Sequence, residues 1–169
     1  MIKLGNALRL GVGVVALLTT APASASAAVL AKKQAAAQIL KQPAAHNKLH
    51  RLILQVNSND PAMMNLVLNN ASNVAQYYKD LGENVTIEVI TFGPGLHMLR
   101  DDTSPVKARI KAISESTPAI SFKACGNTQE NMHRAENKEI PLIPEAQVVK
   151  SGVVRVMELQ EQGWTYVKT

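Results

Sequence analysis

From Leu49 onward the chain alternates short β-branched runs with longer segments whose apolar residues recur every three or four positions, and this alternation limits the fold more than any other feature. Strands joined through intervening helices run parallel, because a crossover returns the chain to the same end of the sheet. Leu49 to Val56 is the first such run, closed by Asn57-Ser58-Asn59. Asp60-Pro61 then supplies a helix cap followed by proline at the first helical position. The spacing of Met64, Val67, Leu68, Ala71, Val74, Ala75 and Tyr78 predicts a helix from Pro61 to about Lys79, with Gly82 just past its end. Val85 to Phe92 is a second strand, followed by a Gly93-Pro94-Gly95 turn and a short apolar piece, Leu96 to Leu99. Ser104-Pro105 opens a second helix that buries Val106, Ile110 and Ile113.

Ala119 to Ala124 forms a third strand with Cys125 at its end, and Asn127 with Glu130 reads as the cap and reaching-back carboxylate of a third helix. Pro141 and Pro144 end that region, and a short strand at Gln147 to Val149 leads to Ser151. Ser151 caps a helix with Val153, Val154, Met157 and Leu159 as its apolar set, stopping at Gly163, and the methionines read as packing. Trp164 to Lys168 is a last strand, placed at an edge. The pattern predicts a three-layer α/β/α domain over residues 48–169 with a mostly parallel five-stranded sheet. A chain of 169 residues suits one such domain and no second core.

Residues 1–27 have the form of a secretory signal: Lys3 and Arg9 without an acid, an apolar stretch from Leu10 to Leu18, and Ala25-Ser26-Ala27 as the cleavage site. The stretch falls short of the roughly 20 residues a spanning helix needs, so the processed protein is expected to be periplasmic with no membrane attachment. Residues 28–47, rich in Ala, Lys and Gln, read as a flexible leader. The whole chain carries 18 Lys+Arg against 13 Asp+Glu; without Lys3 and Arg9 the excess is +3. So mild and dispersed an excess, with 4% aromatic residues, argues against nucleic acid as a partner.

Cys125 is the one cysteine, which excludes a disulfide framework, a multi-cysteine metal site and a C-x-x-C pair within one chain. His46 and His50 lack metal-ligand spacing, His133 lies on a polar helix, and no metal site is expected. Gly93-Pro94-Gly95 is not a dinucleotide-binding pattern, and no cofactor is expected. In an open parallel sheet, ligands collect at the carboxyl ends of the strands. Cys125 stands there before a helix N-terminus, whose dipole and free N–H groups favour the reactive thiolate. Free cysteines are also among the most buried residues, so both a packing and a chemical role stay open. His97 reaches the same rim as a candidate proton donor or base, or as a packing histidine. Asn127, Gly95 and Gly126 complete the candidate rim, Gly126 by letting a partner molecule approach closely.

The chain from about Leu49 to Lys168 resembles the DsrE/DsrF-like family of small α/β proteins. The resemblance rests on the runs Phe92 to Leu99, Thr103 to Val106, Phe122 to Thr128 and Ser151 to Gln160, with Gly163-Trp164. It implies a parallel five-stranded sheet and a homo-oligomer, trimer or hexamer. In the sulfur-relay branch it implies a cysteine after the third strand that carries persulfide sulfur between a sulfur donor and a partner thiol protein. That branch is cytoplasmic, and its small-residue and paired-arginine stretch is replaced here by Gly126-Asn127-Thr128-Gln129-Glu130; the closer likeness is to members without assigned activity. Two functions follow as expectations: an exported carrier of sulfane sulfur or a disulfide through Cys125 and His97, or a non-catalytic ligand-binding or assembly module.

Overall fold

The structure, a computed structural model, describes residues 48–169; the signal segment, the leader and His46 lie outside them. The elements follow in the order β1 (Leu49–Val56), α1 (Pro61–Asp80), β2 (Asn84–Thr91), the 3₁₀ helix η1 (Gly93–Leu99), α2 (Lys107–Ser116), β3 (Ile120–Cys125), α3 (Gly126–Glu136), β4 (Ala146–Val149), α4 (Gly152–Glu161) and β5 (Thr165–Lys168). The five strands form one parallel sheet in the order β4-β3-β2-β1-β5. Each step from β1 to β4 moves the same way, so right-handed crossovers place α1, α2 and α3 on one face. The return from β4 to β5 passes over three strands and puts α4 on the other. The expected three-layer α/β/α architecture is therefore the observed one.

Alternation along the strands separates two cores. Leu52, Leu54, Val56, Ile87, Val89, Phe122 and Ala124 face α1, η1 and α2, where Met64, Leu68, Leu96, Met98, Leu99 and Ile110 meet them. On the opposite face Ile53 and Ile90 pack only against Val156 and Leu159 of α4, edged by Phe92, Trp164 and Tyr166. Glu88 also points to this side and is 5% exposed. Its carboxylate is gripped by the Arg155 fork at 2.6 and 3.0 Å, with Lys123 at 4.0 Å. A buried carboxylate requires such pairing, and the pair fixes the rotation of α4.

That rotation corrects one expectation. Val153, Val154 and Met157 are about half exposed, and the residues α4 buries are Gly152, Val156 and Leu159. A helix apolar on several sides gives no unique phase, and the Arg155–Glu88 pair together with the Ser151 cap decides it. The second helix begins at Lys107, later than expected. Ser104 is used in the preceding turn, where its hydroxyl donates to the Met98 carbonyl and accepts from the Val106 N–H. In α1 the cap is as read: Asp60 Oδ1 accepts from the Ala62 N–H at 2.8 Å.

Candidate functional site

β3 and β4 are neighbours, yet the helices that follow them leave on opposite faces of the sheet. This is a point where strand order reverses, and the carboxyl ends of such strands open into a crevice. Cys125 ends β3 there, paired with Val149 of β4. It is also the cap residue of α3, with extended backbone. Alternation from Lys123 turns its side chain toward α4. A Cβ built on Gly152 would lie 3.3 Å from the Cys125 Cβ and 2.9 Å from the Phe92 ring, so the first residue of α4 covers the sulfur closely enough that only glycine fits without a shift. Cys125 is 4% exposed.

Burial pushes the Cys125 thiol up, and the groups around it reverse the sign. The Thr128 hydroxyl and the backbone N–H groups of Gly152, Thr128 and Asn127 favour the thiolate, and the net displacement is downward. None of the α3 N–H groups closes a full cap hydrogen bond with the sulfur; their influence is that of a helix end directed at it. Thr128 is itself held, its Oγ1 accepting from the Gly93 N–H at 3.0 Å. A backbone donor on one side leaves the hydroxyl hydrogen directed to the sulfur. Donors thus come from α3 and α4, on two faces of one sheet.

The structure distributes the other candidate residues around this centre. His97 lies on η1, where Nδ1 pairs with Thr103 Oγ1 at 2.8 Å. It lines a shallow depression with Pro94, Thr128, Asn131 and Met132, and Cys125 is not among the residues of that depression. Asn127 is not the helix cap. The helix begins one residue after Cys125, which places Asn127 and Glu130 inside its first turns and leaves the Asn127 N–H donating to the Lys150 carbonyl at 3.2 Å. That bond ties β4 to α3 across the crevice. At Gly126 a Cβ would meet Val148 Cγ1 and the Val149 carbonyl at 3.3 Å, so the missing side chain serves the close approach of β4. Gly95 supports the rim from behind, since a Cβ would fall 2.1 Å from the Val56 carbonyl oxygen.

Thr128 and Gly152 stand beside the thiol, and sequence reasoning gave neither of them a role there. Gly152 had a signal, a glycine directly after a cap residue and strand end; Thr128 had none beyond lying three residues after a cysteine. Arg100 was missed as well. It is 1% exposed and clamps Asp102 at 2.8 and 2.9 Å and Glu136 at 2.5 and 2.9 Å, with Lys138 closing the outside of the cluster. The Arg100 side chain holds both carboxyl groups well below the usual range. This cluster joins the end of η1 to the far end of α3. Among the described residues no three His, Cys, Asp or Glu side chains gather as metal ligands, and no helix is long and apolar enough to cross a membrane.

No protein-family model and no curated protein matches the chain. Solved structures do. One is MTH1491, a protein of unknown function from Methanobacterium thermoautotrophicum, to which this chain is similar with a TM-score of 0.60 and 26% sequence identity. The match covers 71% of this chain and 99% of that one. The fold is thus shared over the neighbour's whole length.

Proposed function

We propose that this protein is an exported, DsrE-like carrier that accepts sulfane sulfur on Cys125 and hands it to a partner thiol. What supports the reading is the convergence of donors from two helix N-termini and the Thr128 hydroxyl on one thiol, at the place where an open parallel sheet presents its ligands. The thiolate attacks the outer sulfur of a donor persulfide; the new Sγ–S bond forms as the donor S–S bond breaks, and the donor leaves as its thiolate. A partner thiolate then attacks the outer sulfur carried on Cys125, and Cys125 returns to thiolate. No electrons are gained or lost overall, and no cofactor is needed. Donors placed for a thiolate also serve a persulfide anion. His97, which lines a depression together with Thr128, supplies or removes a proton at the rim.

The burial of Cys125 favours a second reading, a non-catalytic module for ligand binding or assembly. Intact-mass spectrometry separates the two. The carrier predicts a gain of about 32 Da, one sulfur atom, on incubation with a sulfane-sulfur donor, reversed by reductant and absent in Cys125→Ser. A thiol that resists both the donor and an alkylating reagent until the protein is denatured would leave the second reading in place.

A further inference from the structure

Between α1 and β5, on the face of the sheet opposite α4, lies a groove of about 470 Å³. It exists because the crossover from β4 to β5 runs over the other face, so the edge strand β5 has no helix of its own above it here. Register builds the floor. Leu52 pairs with Thr165 and Leu54 with Val167, and paired residues share a face, so these four side chains lie side by side beneath the groove. The wall is one stripe of α1, in which Asn70, Asn73, Val74 and Tyr77 recur at helical spacing. Aromatic rings close the end: His50 stacks on Tyr78 with centroids 3.8 Å apart, and Tyr77 meets Tyr78 edge-on at 5.3 Å.

Charge and polarity in the groove define what fits it. His50 Nε2 is already engaged by the Glu83 carboxylate at 2.5 Å. Arg51 alternates with Leu52 along β1 and turns its side chain to the α4 face. No other lining residue is charged, so an ion entering this groove would lose water and gain no partner. The residues α1 buries are all apolar: Met64, Val67, Leu68, Ala71 and Ala75. The groove stripe differs. There Asn70 and Asn73 stand one turn apart above an apolar floor, and neither carboxamide has a hydrogen-bond partner among the described residues. Apolar walls with a few polar groups that fix orientation are the make-up of small-molecule pockets, whose volumes run from roughly 300 to 1,000 Å³. Tyr77, 61% exposed, adds ring surface against which a flat molecule packs.

We propose that the α1–β5 groove binds an uncharged aromatic molecule with a hydrogen-bonding group, its rings on Leu52, Leu54 and Val167 and its polar group at Asn70 and Asn73. The groove and Cys125 lie on opposite faces of the sheet, so the proposal stands apart from the sulfur chemistry and survives its failure.

Fluorescence titration of the full chain with N-phenyl-1-naphthylamine tests it, since this probe is aromatic, uncharged, carries one N–H and brightens on leaving water. Saturation at one equivalent is expected, with its sulfonated counterpart, 8-anilinonaphthalene-1-sulfonate, binding at least tenfold more weakly. Val167→Glu sets a charge on the floor at a residue 43% exposed and should lower affinity at least tenfold. Asn70→Leu with Asn73→Leu should lower it about threefold or more, the worth of one hydrogen bond. Met157→Asp, on the exposed apolar side of α4, should leave it unchanged. Absence of saturable binding, equal affinity for the sulfonate, or a Val167→Glu or double-Asn variant that binds as the wild type would each overturn the proposal. So would loss of binding in Met157→Asp, which would move the probe to α4, or an affinity that improves as the protein is diluted, which would give the groove to a second copy. Should Val167→Glu fail to fold, Thr165→Glu places the same charge on the same floor from an exposed residue.

Discussion

Thr128 accepts a hydrogen bond from the Gly93 N–H and is the strongest of the groups that favour the Cys125 thiolate. Thr128→Val keeps the shape and removes the donor, so the thiol pKa of the variant should rise, read from the pH dependence of the thiolate's ultraviolet absorbance in the folded protein. The sign for stability follows from the same displacement. The native thiol loses its proton below the ordinary value of 9.0, so between its native value and that value the unfolded chain binds more protons and stability increases with pH. Below the native value the contribution is gone. In Cys125→Ser this rise should be missing from urea-unfolding free energies measured across the alkaline range. Gly95 presents a different constraint. A methyl group there would collide with the Val56 carbonyl, a backbone atom that cannot turn aside, and Gly95→Ala should cost more than about 3 kcal/mol in denaturant unfolding.

Among the elements, the strands and α1 were legible because each carries one unambiguous period and a recognisable start. Asp60-Pro61 fixes α1 to the residue, and β1 to β5 fall within one residue of where β-branching and turns put them. The helices that were misread carry competing signals. At α3, Asn127 and Glu130 have the spacing of a capping box, but the helix starts as soon as β3 ends, and Cys125 takes the cap position. At α4, three apolar residues proposed one face and a single buried ion pair imposed another. Such pairs join residues far apart in sequence, as Glu88 and Arg155 do, and no local pattern announces them. The same holds for the Arg100 cluster that ties η1 to α3. Asp102 and Glu136 are held ionised by Arg100, so their contribution is full above the unfolded carboxylate values of about 4 and is lost as pH falls through their lower native values. Arg100→Met should therefore be less stable than the wild type at pH 7 and converge with it near pH 2, in urea unfolding at the two pH values.

For the molecule as a whole, three crossovers load one face of the sheet and a single ten-residue helix covers the other. The fold was readable from the sequence because the βα alternation admits few topologies, and the candidate site was readable only at Cys125, where position along the chain and position in the fold coincide. Its surroundings come from Gly93, Thr128 and Gly152, which the topology brings together from the first turns of three separate helices. The uneven covering has a kinetic meaning. The smaller core of Ile53, Ile90, Val156 and Leu159 holds α4 with less buried apolar surface than the other face gives α1, so α4 is expected to open short of global unfolding. Since Gly152 lies over the sulfur, the native thiol is a clock for that event. Its alkylation should proceed at the opening frequency of α4, respond only weakly to urea, and match hydrogen exchange of the α4 amides, while amides of β1 and β2 exchange far more slowly.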